Sequence, residues 1–277
     1  MTTKALLRAL VLVLIGIPAA QAQELRLGVL PRLAATEITT MFTPLADYLG
    51  RKTGRKVTLV VARDFEAFQK QVRAGELDLA FSNPLIYVEL KREMDLEPLG
   101  LGAEKKGGTR FRGILIVRKD SGMNGLQDVK GKRIIFVDRE SLGGYLSQAL
   151  FLKKHGIDLQ RDFTTLPFAK KHDNVTMAVL NRAADVGAIR EDDLEKLAGR
   201  VDLSQLKILA YTDYFPNWPL FANARVDART RDAIRSALLA LRPGDSVLES
   251  AKLAGFAPVA DKDYDGLREA ARILDAF

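Results

Sequence analysis

The stretch KRIIFVDRESLGGY, residues 132–145, is followed after a short interval by TTLPFAKKHDNVTMAVLNRAADVGAIR, residues 164–190. Apolar runs of five or six residues alternate here with segments whose apolar side chains recur at helical spacing. The pattern predicts strands at 132–137, 164–168 and 184–189, with helices at 142–155 and 173–183 between them. Strands that alternate with helices in this way indicate a parallel sheet with helices on both faces.

The same alternation occurs earlier in the chain. It predicts strands at 25–30, 57–61 and 77–81, with intervening helices whose inner faces carry Ile38, Phe42, Leu45 and Leu49, and then Phe65, Phe68 and Val72. The two series align at an offset of 107 positions, so that Phe68 corresponds to Val175 and Asp78 to Asp185. This correspondence suggests an internal repeat of one structural unit. Within the first helix, Pro44 either begins a second part or introduces a kink.

Two segments separate the repeated series from the rest of the chain. Residues 104–109 are polar and rich in glycine, and residues 211–219 are rich in aromatic side chains and proline. Two such crossings predict two α/β lobes, each a mainly parallel sheet flanked by helices, with a cleft and two hinge crossings between them. The expected division is a signal peptide at 1–22, lobe 1 at 23–107, lobe 2 at 108–213, and a return to lobe 1 at 214–277.

The N-terminus has the pattern of a secretory signal peptide. Lys4 and Arg8 flank an otherwise apolar run at residues 5–17, and Ala20-Gln21-Ala22 provides small residues for cleavage after Ala22. The run is shorter than the roughly 20 residues of a membrane-spanning helix, so a membrane anchor is the weaker interpretation. The sequence therefore predicts export to the periplasm. It contains no cysteine, which excludes disulfides, thiolate metal sites and a lipid-modified N-terminal cysteine.

The charge pattern and the missing motifs argue against several classes of protein. The formal charge is +7, but basic and acidic residues interleave, so the sequence does not indicate a nucleic-acid surface. The excess fits a weak attraction for anions and plain solubility equally well. The sequence contains no Gly-x-Ser-x-Gly elbow, phosphate loop or His-Glu-x-x-His zinc helix. We therefore expect a monomeric binding protein rather than an enzyme, with no cofactor or metal.

The candidate ligand-binding residues share one position, just beyond the carboxyl end of a predicted strand. Ligands bind at this edge of open parallel sheets because helix N-termini and free N–H groups collect there. Glycines at such a turn also let a ligand approach the backbone, although an ordinary strand-to-helix turn requires small residues too. Taken alone, His172 is compatible with ligand contact or with capping of a helix start. The residues at these turns are Arg32, Ser82, Asn83, Ser141, Gly143, Gly144, Tyr145, His172 and Glu191.

These segments resemble a known family, the phosphonate/phosphite-binding periplasmic proteins of ABC importers. The resemblance covers essentially the whole chain after the signal peptide, and its short motifs are specific through their order and spacing. The motifs are Ala80-Phe81-x-Asn83-Pro84-x-x-Tyr87, Asp128-Val129-Lys130-Gly131-Lys132, Phe136-Val137-Asp138, Ser141, Gly144-Tyr145, His172-Asp173 and Asp185-x-Gly187-Ala188.

The resemblance implies a type II periplasmic-binding-protein fold that delivers a small, phosphonate-like oxyanion to an ABC permease in the inner membrane. A periplasmic subunit that signals to a membrane kinase is the alternative. By correspondence with the family, the anion is expected at Ser141, Tyr87, His172 and Glu191. Leu142 and Gly143 replace two hydroxyl side chains of the family motif, which predicts that simple phosphonates bind weakly, with a Kd above about 10 μM.

Overall fold

The computed structural model describes residues 24–105 and 108–273, so the predicted signal peptide lies outside the described residues. The first part of the chain forms β1 (Leu25–Val29), α1 (Ala35–Thr53), β2 (Val57–Val61), α2 (Phe65–Arg73), β3 (Leu79–Phe81), α3 (Pro84–Glu93) and β4 (Leu96–Glu104). The middle part forms β5 (Arg110–Arg118), β6 (Lys132–Ile135), a π-helical turn (Leu142–Leu146), α4 (Ser147–Lys154), β7 (Phe163–Thr165), α5 (His172–Leu180), β8 (Val186–Arg190), α6 (Glu191–Lys196) and β9 (Leu206–Pro216). The last part forms β10 (Pro219–Asn223), α7 (Ala228–Ala240), α8 (Ser246–Ala251), β11 (Leu253–Ala257) and α9 (Asp265–Ile273).

The strands form two sheets flanked by helices, as the predicted fold class requires. The first sheet has the order β11-β4-β10-β3-β1-β2, and the second has the order β7-β6-β8-β5-β9. Both sheets are mixed rather than mainly parallel, which corrects the prediction. In the first sheet β10 pairs antiparallel with β3 and β4, and in the second sheet β5 pairs antiparallel with β8 and β9. β5 and β10 each follow a crossing, where the chain enters a sheet from the other one, whereas β11 pairs antiparallel with β4 within the first sheet.

The internal repeat is visible in both sheets. β1 pairs in parallel with β2 and β3, and β6 pairs in parallel with β7 and β8, so each unit has the same strand order. The matched aspartates also make the same contact, because Asp78 Oδ2 accepts the Arg26 N–H at 2.8 Å and Asp185 Oδ2 accepts the Arg133 N–H at 2.9 Å. Each carboxylate fixes the start of its strand against the neighbouring strand.

The first helix shows how the periodic apolar side chains build the core. The predicted inner face of α1 is buried throughout, at Ile38, Phe42, Leu45 and Leu49. Pro44 lies inside α1, and one helix nevertheless runs from Ala35 to Thr53. Burial of four large apolar side chains, each contributing roughly 1.5–3 kcal/mol, outweighs the cost of about 3 kcal/mol for a proline within a helix.

The two crossings join the sheets at β4–β5 and β9–β10. β9 continues to Pro216, three residues past the predicted boundary at 213/214. The division at 107/108 and 213/214 stays a prediction. β2 is the edge strand of the first sheet and is mostly half-buried. Within residues 24–105 and 108–273, no helix combines the length and the apolar character that crossing a membrane requires.

Candidate functional site: a buried charge cluster between the sheets

Arg32 carries a positive charge from the first sheet into the region between the two sheets. It follows β1, is 3% exposed, and donates from Nη1 to Asp193 Oδ1 on α6 of the second sheet. Its guanidinium carbon lies 4.9 Å from the centre of the Trp218 ring. A cation over an indole face is attracted by the ring quadrupole and is shielded from water. The site residue predicted at the end of β1 is therefore in contact with both sheets.

Further charged side chains surround this ion pair. Lys196 Nζ lies 3.3 Å from Asp193 Oδ1 and 3.5 Å from Glu104 Oε1. Arg190 Nη2 donates to Glu104 Oε1 at 2.8 Å and to Asn217 Oδ1 at 3.1 Å. Glu104 ends β4 and Arg190 ends β8, so the network again joins the two sheets. Arg32, Glu104, Arg190, Asp192, Asp193 and Lys196, together with His172, are called the charge cluster below.

His172 begins α5, as predicted, and its side chain lies in the charge cluster. The Arg190 backbone N–H donates to His172 Nδ1 at 3.2 Å, so the neutral ring carries its proton on Nε2. That nitrogen lies 3.5 Å from Asp193 Oδ2. Burial, with the charge of Arg32 as a further contribution, lowers the pKa of His172 to about 4. His172 is therefore a neutral hydrogen-bond donor at physiological pH.

The charges of the cluster balance. Three cations, Arg32, Arg190 and Lys196, accompany three carboxylates, Glu104, Asp192 and Asp193. Burial alone would raise the pKa of Asp193, but the charges of Arg32 and Lys196 hold it well below its ordinary value. Adjacent acidic residues on a helix are usually solvated. Asp193 is instead 1% exposed, because α6 turns this side chain toward the cations of both sheets.

The glycine-containing helix start lies beside the charge cluster. Ser141 Oγ accepts the Gly144 N–H at 3.0 Å, so Ser141 caps the π-helical turn. A Cβ atom at Gly144 would lie 2.4 Å from Val137 Cγ2, and one at Gly143 would lie 3.0 Å from Arg190 Cβ. Protein atoms therefore occupy the space that these glycines leave free. Both glycines therefore let the turn pack closely against Arg190 and Val137.

The first-sheet turn after β3 bridges the two sheets. Asn83 Oδ1 accepts the Ile86 N–H at 3.1 Å and caps α3, while Nδ2 donates to the Glu140 carbonyl at 3.1 Å. Ser82 is fully buried and donates from Oγ to the Asn83 carbonyl at 3.1 Å. Asn83 and Arg32 thus reach residues of the second sheet from neighbouring strand ends.

Three further candidate residues, Tyr87, Glu191 and Tyr145, make their contacts outside the charge cluster. Tyr87 is fully buried in the first sheet's core, and its hydroxyl donates to Asp261 Oδ1 at 2.7 Å. Glu191 accepts two hydrogen bonds from the Arg112 guanidinium, at 2.7 and 3.0 Å. Tyr145 stands edge-on against two aromatic rings, those of Phe136 and Phe168. The geometry gives each of the three a structural partner.

Two cavities open near these elements. One of about 340 Å³ reaches the charge cluster from outside and is lined by Glu104, Asp192 and Lys196 together with Lys105, Glu195 and Lys252. A larger one of about 660 Å³ lies between α3 and α4, where Glu89, Glu140 and Tyr145 contribute to its wall. Burial, with the nearby Glu140 charge, raises the pKa of Glu89 to about 8.

The candidate residues named from the sequence did not include six residues of this site: Glu104, Arg190, Asp192, Asp193, Lys196 and Trp218. Glu104 belongs to the polar segment interpreted as a crossing, and Trp218 belongs to the segment rich in aromatic side chains and proline. The position of Asp193 and Lys196 just after a strand end was an available signal, and their spacing of three residues places them on one helix face. Among the described residues, no group of three or more His, Asp or Glu side chains could hold a metal ion.

Comparisons with known proteins agree with this architecture. The family model of the ABC transporter phosphonate periplasmic substrate-binding protein matches residues 27–264. The phosphate-import protein PhnD of Mycolicibacterium smegmatis is 26% identical over 271 residues, covering 89% of this chain and 84% of that protein. The tetrathionate sensor histidine kinase TtrS of Salmonella typhimurium is 24% identical, covering 86% of this chain but 43% of the kinase.

A solved structure shows the same fold. PhnD1 from Prochlorococcus marinus, in complex with methylphosphonate, superimposes with a TM-score of 0.82 at 19% identity, covering 92% of this chain and 99% of that one. The two-sheet architecture, the strand-end site and the family match across residues 27–264 lead to one assignment. This chain belongs to the family of phosphonate periplasmic substrate-binding proteins of ABC transporters.

Proposed function

We propose that this protein captures a small oxyanion between Arg32 and His172 and delivers it to an ABC importer. The observation that carries the proposal is that a buried guanidinium of the first sheet meets a buried imidazole and carboxylate of the second. An anion that lies between them binds both sheets at once and therefore favours their closure. Family membership supports transport without catalysis.

The energetics of Arg32 support its role as the anion receptor. Its charge is removed from water and is satisfied by one carboxylate, which a ligand oxygen can replace or join. Hydrogen bonds between a guanidinium and an anion contribute roughly 1.5–3 kcal/mol. His172 Nε2–H adds a neutral donor without adding a charge. The Arg32 guanidinium and the His172 Nε2–H therefore attract the oxyanion of the ligand. Because the charges of the cluster balance, the cluster does not repel the organic part of the ligand.

Calorimetry with inorganic phosphate and methylphosphonate tests this function. Arg32→Gln should abolish measurable binding, and Arg32→Lys, which keeps the charge, should weaken it at least about tenfold because the planar fork is lost. The matched control is Arg225→Gln, which removes an arginine paired with Asp78 at the opposite end of the same sheet. Unchanged affinity in both Arg32 variants, with thermal midpoints showing folded protein, would contradict the proposal.

Sensing is the second candidate, and the similarity to TtrS favours it specifically. Deletion of the gene should abolish uptake of labelled methylphosphonate if the protein serves an importer. If it serves a kinase instead, uptake should remain and ligand-dependent phosphorylation should disappear.

We also propose that the mature protein is a periplasmic monomer with lobes divided near residues 107/108 and 213/214. The N-terminal pattern supports cleavage after Ala22, and the two crossings between the sheets support the division. N-terminal sequencing of the exported protein should begin at Gln23. Scattering should show a more compact particle when ligand is added, and an unchanged profile with a ligand that binds would contradict a closing cleft.

A further inference from the structure

One atom of the charge cluster has no hydrogen-bond partner. Asp193 Oδ2 is buried, and within residues 24–105 and 108–273 nothing donates to it. The nearest polar atom described above is His172 Nε2, whose distance of 3.5 Å is too long for a good hydrogen bond. An unsatisfied buried carboxylate oxygen is costly, so it marks a place where a further donor would be stabilised.

The neighbours of these two atoms fix what each of them can do. Arg32 and Lys196 both contact Asp193 Oδ1 and keep the carboxylate ionised, so Oδ2 can only accept a hydrogen bond. His172 receives the Arg190 N–H on Nδ1, so its Nε2 can only donate. An acceptor beside a donor matches a ligand that carries a hydroxyl group next to an ionised oxygen.

We propose, resting on the proposed function, that Asp193 makes this site select oxyanions that carry an acid hydrogen, such as monoanionic phosphonates and phosphate, over sulfonates. The ligand hydroxyl donates to Asp193 Oδ2, and its ionised oxygens accept from His172 Nε2–H and the Arg32 guanidinium. A sulfonate offers acceptors alone at neutral pH. Its lone pairs would face a buried carboxylate, which repels the wrong ligand.

The first test compares methylphosphonate with methanesulfonate at pH 6 by calorimetry. The two ligands have the same organic part, and neither carries an ammonium group that could donate to Asp193. The wild-type protein should prefer methylphosphonate by roughly 10- to 100-fold, as expected for one charge-assisted hydrogen bond. Asp193→Asn provides an amide donor and should reduce or reverse this preference. Asp120→Asn, the same change of charge in a surface ion pair of the second sheet, should keep it.

The second test uses the wild-type protein alone and therefore does not depend on whether Asp193→Asn folds. Above the second ionisation of methylphosphonate its affinity should fall about tenfold per pH unit, because the hydrogen that Asp193 needs is lost. The other titratable or charged groups facing Asp193 are Arg32, Lys196, His172, Arg190 and Glu104. Loss of a proton from Lys196 would weaken both ligands equally, so methanesulfonate measured over the same range is the control.

The outcomes separate this inference from the proposed function. Equal affinity for the two ligands, or a methylphosphonate affinity that follows the methanesulfonate series at high pH, would overturn the role of Asp193 and leave anion capture intact. If methylphosphonate, methanesulfonate and inorganic phosphate all fail to bind at millimolar concentration, the proposed function itself fails.

Discussion

The buried imidazole of His172 makes the stability of this protein depend on pH in a defined range. Its pKa falls from 6.5 to about 4 in the folded protein. Between these values the unfolded chain binds a proton that the folded protein does not, so acid favours unfolding. The stability that the neutral ring contributes is fully present above pH 6.5 and decreases as the pH falls toward 4. Between pH 7.5 and 4.5 we expect a loss of about 2.5 kcal/mol from this residue.

Denaturant unfolding at a series of pH values measures this loss. In His172→Asn the side-chain oxygen can still accept the Arg190 N–H, but the residue does not ionise. The variant should therefore lose about 2.5 kcal/mol less than the wild-type protein over the same range. The matched control is His155→Asn, an exposed residue and the other histidine of the chain, which should keep the wild-type profile. Parallel wild-type and His172→Asn profiles would refute the assignment of a buried, neutral imidazole.

Three further substitutions test the roles that the structure gives to predicted site residues. Gly144→Ala should destabilise the protein by roughly 1–3 kcal/mol in thermal unfolding, because its Cβ would overlap Val137; an unchanged midpoint would show that the turn can relax. Tyr87→Phe should cost roughly 1.5–3 kcal/mol of stability through the lost hydrogen bond to Asp261, without weakening anion binding in calorimetry. Glu191→Gln should alter methylphosphonate affinity less than threefold (about 0.6 kcal/mol); a larger loss would restore the ligand contact that the family resemblance implied.

Much of the fold could be predicted because it depends on local periodicity. The apolar face of α1, and each of the two repeated units that contain Asp78 and Asp185, depend on residues that are close together in the chain. β11 was missed because Leu253–Ala257 is short and becomes a strand only by pairing with β4. The antiparallel direction of β5 and β10 was not predicted, because strand direction is decided by the path of the chain between the sheets.

The sequence led to two residues of the candidate charge cluster but not to its network of ion pairs. Arg32 and His172 were found because each follows a strand, and this rule does not depend on distant contacts. The burial of Asp193 could not be inferred, because it results from a guanidinium 161 residues away in the sequence. Tyr87 fitted a family motif, yet its hydroxyl points to a partner, Asp261, that lies near the other end of the chain.

The passage between β9 and β10 contains just Asn217 and Trp218. Asn217 accepts from Arg190, and the Trp218 ring lies against Arg32, so this two-residue crossing is also a wall of the charge cluster. In the proposed closing motion, the hinge angle and the ligand affinity therefore change together. In the closing motion proposed above, a substitution at Asn217 or Trp218 would change both how far the protein opens and how long it retains its ligand.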